Sequence, residues 1–290
     1  MKVDERNREF KLSQLRARRE TKGAQKMKDK RNTTWMRGVV CGLITCAAVG
    51  VACISAASAQ PAAPAPNAVP APNAVPAPTS SGPEFTDEFF DEDCEFSTTG
   101  RNRFFILEPG YQLILEGQED GEKIQKTITV LNQTKKIQLD GREIITRVVE
   151  ERETKDCELY EVSRNYFARC KQTNDIFYFG EAVDFYEDGE IVNHAGSWEA
   201  GVNGAQPGII MPGRILLGAR YYQEVAPGVA EDRAQIISMN EVVTTPAGTF
   251  QNCLKTKETT PLEPDVVEFK FYAPGIGLIR DGPLKLVSHG

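Results

Sequence analysis

Carboxylates are the reactive groups this chain offers in quantity: 41 Asp and Glu stand against 34 Lys and Arg and two histidines. Paired acids can cleave glycosidic bonds, one as acid and one as base or nucleophile. Glu150, Glu151 and Glu153 are the densest such group, but Arg147 and Arg152 lie beside them. Cross-strand ion pairing explains these glutamates without catalysis. Histidine chemistry has little to work with. His289 is the penultimate residue, so His194 is the one candidate base, with Ser197 three residues on. No Gly-x-Ser-x-Gly elbow presents that serine, and His194 reads as an ordinary loop residue. A histidine-cluster metal site is excluded. The acidic run Glu84–Glu95 lacks the alternating ligands and the glycine of a calcium loop. Its phenylalanines, Phe85, Phe89 and Phe90, instead suit an arm that docks onto a domain. The glycines between Gly196 and Gly213 are followed by no Lys-Ser/Thr pair, so a phosphate loop is unsupported. No cofactor is implied.

The elements that would position these groups are strands. Ile124, Ile128 and Val130 alternate with Gln125, Thr127 and Thr129. Tyr160, Val162, Tyr166 and Ala168 share one face of a strand, with Glu161, Ser163 and Asn165 on the other. Val267, Phe269 and Phe271 alternate with Glu268 and Lys270. Asp-Gly pairs at 120–121, 140–141 and 188–189 favour tight hairpin turns. No helical period of useful length occurs. The fold class is therefore all-β: an antiparallel meander that must curl or close to hide its edges, giving a curled sheet or barrel with one buried face.

One long interruption, Asn193 to Gly213, holds five glycines and two prolines around Trp198, Ile209, Ile210 and Met211. Long loops inside compact domains often carry function. This one reads as a lid over the mouth of the sheet, or as a plug of its core. Tyr178, Phe179, Trp198, Ile209, Ile210 and Met211 are the expected contacts for an apolar ligand.

The chain divides by composition. Residues 1–59 carry 13 Lys and Arg and an uncharged run from Gly38 to Gln60, with Ala57-Ser58-Ala59 as a small-residue cleavage site. They read as a signal peptide, with an uncleaved signal anchor as the alternative; Met27 offers a second start, making 1–26 an upstream extension. Residues 60–83 are a Pro/Ala-rich linker with Asn-Ala-Val-Pro-Ala-Pro twice over. This N-terminal region has no composition for a core and is expected to be disordered. Residues 84–99 form the acidic arm and 100–290 a single β domain. The chain is thus expected to be exported, periplasmic or extracellular, and membrane-associated only through an uncleaved anchor. From residue 60 onward 21 basic residues face 36 acidic ones, a net charge of −15. Such a body repels nucleic acid phosphates and anionic lipids.

Four cysteines follow the apolar run: Cys94, Cys157, Cys170 and Cys253. In an exported chain these allow two disulfides. If 158–170 is one strand, Cys157 and Cys170 stand roughly 40 Å apart at ~3.3 Å per residue, beyond the reach of a disulfide. Cys94–Cys170 is the expected bridge, with Cys94–Cys253 as its rival.

The most distinctive text is Thr245-Pro246-Ala247-Gly248-Thr249-Phe250 and Tyr272-Ala273-Pro274-Gly275-Ile276-Gly277-Leu278-Ile279. With Leu107–Tyr111, Tyr178–Glu181 and Gly196–Gly201, these blocks resemble a family of uncharacterised exported bacterial β-rich proteins, over nearly all of 100–290. The pair of turn motifs is also similar, more distantly, to periplasmic curled-sheet proteins of the lipoprotein-carrier type. That second resemblance implies an apolar ligand under the sheet. The leading expectation is a non-catalytic envelope or secreted protein that binds an apolar or amphipathic small molecule. A structural or protein-interaction module of the envelope comes second, and a carboxylate-dependent hydrolase of envelope polymers third.

Overall fold

The computed structural model describes residues 84–89 and 91–290, and these are almost entirely strand. Residues 1–83, where a signal peptide and a linker are expected, and Phe90 lie outside the described residues. Three short strands come first: β1 (Phe96–Ser97), β2 (Gly100–Asn102) and β3 (Phe105–Leu107). Five longer ones follow: β4 (Gln112–Glu119), β5 (Glu122–Leu139), β6 (Arg142–Lys155), β7 (Glu158–Cys170) and β8 (Ile176–Glu187). A run of short strands occupies the middle: β9 (Glu190–Asn193), β10 (Trp198–Glu199), β11 (Gln206–Met211), β12 (Arg220–Tyr222) and β13 (Glu224–Val225). The chain ends in β14 (Arg233–Thr245), β15 (Gly248–Thr260), β16 (Glu263–Ala273), β17 (Gly277–Asp281) and β18 (Leu284–His289).

Local chemistry accounts for the hairpins. Asp120-Gly121, Asp140-Gly141 and Asp188-Gly189 all take positive φ and join β4 to β5, β5 to β6 and β8 to β9. Two successive positive-φ residues match the twist of the strands they connect. A fourth turn of this kind lies at Asp156-Cys157, between β6 and β7, where a cysteine adopts φ 74°. No glycine marks it, so the sequence pattern passes over it.

These hairpins build one antiparallel path in the order β12-β14-β15-β16-β17-β18-β4-β5-β6-β7-β8-β11-β13. Its two ends, β12 and β13, are neighbours in the chain, separated by Gln223 alone. A single segment, Arg220–Val225, therefore pairs with β14 on one side and with β11 on the other, leaving a nearly closed barrel. The closing seam is short: β11 meets β13 only through Gln206↔Val225 and Pro207↔Glu224. Here Gly208 packs directly on the seam, since a Cβ at that position would lie 2.4 Å from the Gln223 carbonyl carbon. The glycines and prolines that make 193–213 look like a loop are thus partly the means of closing the barrel, and the segment contributes β10 and β11 to the sheet.

The acidic arm is held against the domain. Cys94 and Cys170 form a disulfide, which excludes the rival pairing with Cys253, a free cysteine buried in β15. Phe96 stands edge-on to Phe177 and Phe179, and Phe89 edge-on to Phe177. Asp91 pairs with Arg142 and Glu95 with Lys171. Thr86 bridges to Tyr221 at the seam.

Candidate functional site

A cavity of about 260 Å³ opens inside the barrel. Its walls differ in character. Phe105, Tyr111, Ile128, Val149, Ile210 and Leu278 supply apolar surface. The charged lining is Lys126 from β5, Glu151 from β6, Glu161 from β7, Glu181 from β8, Glu224 from β13, Asp232 before β14, Glu258 from β15, Lys270 from β16 and Asp281 from β17. Strand alternation delivers them, because every second residue of a strand faces the same side. Glu161, Ser163 and Asn165 of β7 all line the cavity, while Val162 is buried on the opposite face.

The two lysines are spoken for. Lys126 Nζ lies 2.8 Å from Asp281 Oδ2, and Lys270 Nζ 2.8 Å from Glu258 Oε2. Burial acts against the Lys126 charge, yet Asp281, Glu151 and Glu153 hold its pKa above the ordinary lysine value. Burial likewise acts to raise Asp281, but Lys126 and Lys270 outweigh it and bring the carboxyl down to about 2. Glu258 also accepts from Thr256 Oγ1 at 3.1 Å and from Gln223 Nε2 at 3.4 Å.

The other acids have no such partners. Glu151, Glu161, Glu181 and Glu224 form no ion pair among the described residues. Burial, followed by the charge of Glu153, pushes Glu161 up to about 7. Burial pushes Glu181 up to about 8, with the neighbouring Tyr178 hydroxyl opposing it and Glu161 and Glu151 adding to it. Glu224 is held well above the carboxylate range by burial, then by the charges of Glu181 and Asp232. A carboxyl in a low-dielectric site without a counter-charge keeps its proton rather than ionise. The cavity thus holds neutral acids beside an ionised, lysine-paired one, Asp281.

The structure divides the six expected ligand contacts. Tyr178 and Ile210 line the cavity. Tyr178 donates to Asn165 Oδ1 at 2.5 Å. Phe179, its neighbour in β8, points to the other face and is fully buried with Phe177 and Phe96. Adjacent strand residues cannot share a wall. Met211 is fully buried in the same core and Ile209 packs against it. Trp198 stands edge-on to Tyr178, with ring centres 5.2 Å apart, and donates from Nε1 to Glu224 Oε2 at 2.9 Å. It lines a second, outer pocket of about 390 Å³ instead of the barrel cavity.

The group Glu150, Glu151 and Glu153 is also divided. Glu150 pairs with Arg164 at 3.4 Å and Glu153 approaches Lys126 at 3.8 Å, while Glu151 faces the cavity. Arg147 and Arg152 are not their partners: Arg147 donates to the carbonyls of Thr98, Leu131 and Gln133. His194 sits outside the cavity, with Nδ1 2.8 Å from Asp184. Among the described residues no cluster of His, Cys, Asp or Glu is arranged to hold a metal ion. The turn motifs do form turns, and Ile276 and Gly277 of the second also border the cavity. No family model, curated protein or solved structure matches the chain.

Proposed function

We propose that this protein is a non-catalytic binding protein that holds a small amphipathic molecule inside its barrel, with a basic head group against the acidic wall. The observation that carries the reading is the two-sided cavity. One wall is apolar, and the other keeps Glu151, Glu161 and Glu181 free of ion pairs after both lysines are used. An ammonium group would let one of these acids give up its proton and stand as its counter-ion, and buried charges are stable when paired. The apolar wall would take a short hydrocarbon or aromatic portion. The cavity lies just under the ~300–1,000 Å³ usual for ligand pockets, so the ligand is small. The likeness of the turn motifs to curled-sheet carriers supports the same reading. A fully packed interaction module has no use for such a space.

Calorimetric titration with three probes of equal chain length, an alkylamine, an alkanol and an alkanoate, tests this. The amine should bind most tightly and the alkanoate not at all. Equal binding of amine and alkanoate, or none of any probe, would overturn the proposal. Export, expected from residues 1–59, sets where such a ligand would be met.

One observation favours a second reading, the carboxylate-dependent hydrolase. Neutral acids and an ionised carboxylate in one cavity are the pair that acid-base hydrolysis needs. On this reading Glu181→Gln and Asp281→Asn would each abolish turnover of a small glycoside or ester while leaving its binding intact.

A further inference from the structure

Three features converge where the barrel closes. The first is weak pairing. The β11–β13 seam has two residue pairs, one of them to a proline without an N–H, whereas β5 and β6 pair over more than a dozen residues. Segments with few ladder bonds open at the lowest cost. The second is position. Glu181 borders both the barrel cavity and the outer pocket, Glu224 borders the first, and Trp198 borders the second. Ala226, Pro227 and Val229, just beyond β13, form another wall of the outer pocket. The bonded pair Trp198–Glu224 therefore stands between the two spaces.

The third feature is charge. Glu224 is 6% exposed, and it lines the barrel cavity together with Glu181 and with Asp232, which precedes β14. Facing Glu224 are Glu181 and Tyr178 from β8, Asp232, and Trp198 from β10. Glu161 and Glu151, from β7 and β6, add negative charge toward Glu181. Glu181, Glu224 and Asp232 have no Lys or Arg ion pair among the described residues.

We propose that Trp198, Glu181 and Glu224 form a proton-operated door between the outer pocket and the barrel cavity, shut while Glu224 is protonated beside Glu181 and opened by its ionisation. Deprotonation releases that proton to solvent and leaves a carboxylate on β13 near Glu181 of β8, neither of them in an ion pair. Their repulsion is relieved by β13 parting from β11, where the ladder is shortest. Burial and neighbouring acids hold the closed-state acids protonated, Glu181 up to about 8 and Glu224 well above the carboxylate range. The sign follows: the closed form binds the extra proton, so raising the pH favours the open form, by up to about tenfold per pH unit per proton. The idea deepens the binding proposal, since it takes the cavity as the ligand chamber, but its test needs no ligand.

Amide hydrogen exchange of the full chain, at about pH 6 and about pH 9 and corrected for intrinsic rates, reads the door directly. Peptides covering 198–211 and 220–232 should exchange about tenfold or more faster at the higher pH, with β5–β6 unchanged. Glu224→Gln keeps an acceptor for Trp198 but cannot ionise, so it should abolish the increase. Glu181→Gln should do the same if the first variant folds poorly. Unchanged seam exchange in the wild type, an equal rise in β5–β6, or an equal rise in both variants would each overturn the door. Failure of the amine titration with a working door would instead remove only the ligand class.

Discussion

The two faces of β8 make a natural comparison. On one, Phe177 and Phe179 lie against Phe96 under the disulfide-tied arm, with Phe179 fully buried. On the other, Tyr178 and Glu181 look into a cavity bordered by acids and two lysines. The first face is stabilised by burial of carbon, which no pH change alters. The second depends on which acids carry protons and on whether each lysine keeps its carboxylate. One strand thus separates a region indifferent to pH from one governed by it.

The sharpest way to break this comparison is to damage each face and measure stability at several pH values. Phe179→Ala should cost about 3–5 kcal/mol by denaturant titration, to the same extent at acid and neutral pH. Lys126→Met leaves Asp281 buried without its nearest cation and should cost about 3 kcal/mol at neutral pH. Asp281 is held down at about 2, so its pairing stabilises the fold above its ordinary value and is lost as the pH falls through about 2. The Lys126→Met penalty should shrink over that range, and adding Asp281→Asn should recover most of it. If Lys126→Met proves pH-independent, the cavity's charges are not what that face rests on.

Reduction of Cys94–Cys170, or its replacement by two alanines, should cost about 2–4 kcal/mol and expose the Phe177–Phe179 face to exchange. The next effect is smaller and confined to the acidic wall. Glu161 and Glu181 keep their protons to about 7 and about 8, so the unfolded chain, which ionises first, gains as the pH rises from the ordinary glutamate range. Wild-type stability should therefore fall by more than about 1 kcal/mol between pH 4.5 and 8, and Glu181→Gln should flatten that slope. The smallest effect lies outside both regions. Cys157→Gly relieves a positive φ in the β6–β7 turn and should stabilise by about 0.5–1 kcal/mol at every pH.

Particular residues show what was legible beforehand. The Asp-Gly turns could be read because their chemistry is local and glycine announces positive φ, whereas Asp156-Cys157 could not. Strand length removed Cys157–Cys170, and β7 does run from Glu158 to Cys170, but the choice of Cys94–Cys170 over Cys94–Cys253 was decided by the structure. Of the expected contacts, Tyr178 and Ile210 reach the cavity and Trp198 its outer neighbour, while apolar character alone also selected Phe179 and Met211 from the packed core. The acidic wall escaped notice because Glu161, Ser163 and Asn165 look like a solvated face. A period of two assigns residues to faces without saying which face turns inward.

Sequence by itself determined the all-β class and the main hairpins, because each rests on conformations local to a few residues; it marked the arm as one that docks through its phenylalanines but left the partner of Cys94 open. Only the tertiary structure decided that Arg220–Val225 closes the barrel, that Gly208 makes room for it, and that acids from six strands meet around two lysines. Those outcomes depend on how the sheet curves, which brings Lys126 to Asp281 across 155 positions and turns the short strands around Gln223 into a closing seam, and no local pattern encodes that curvature.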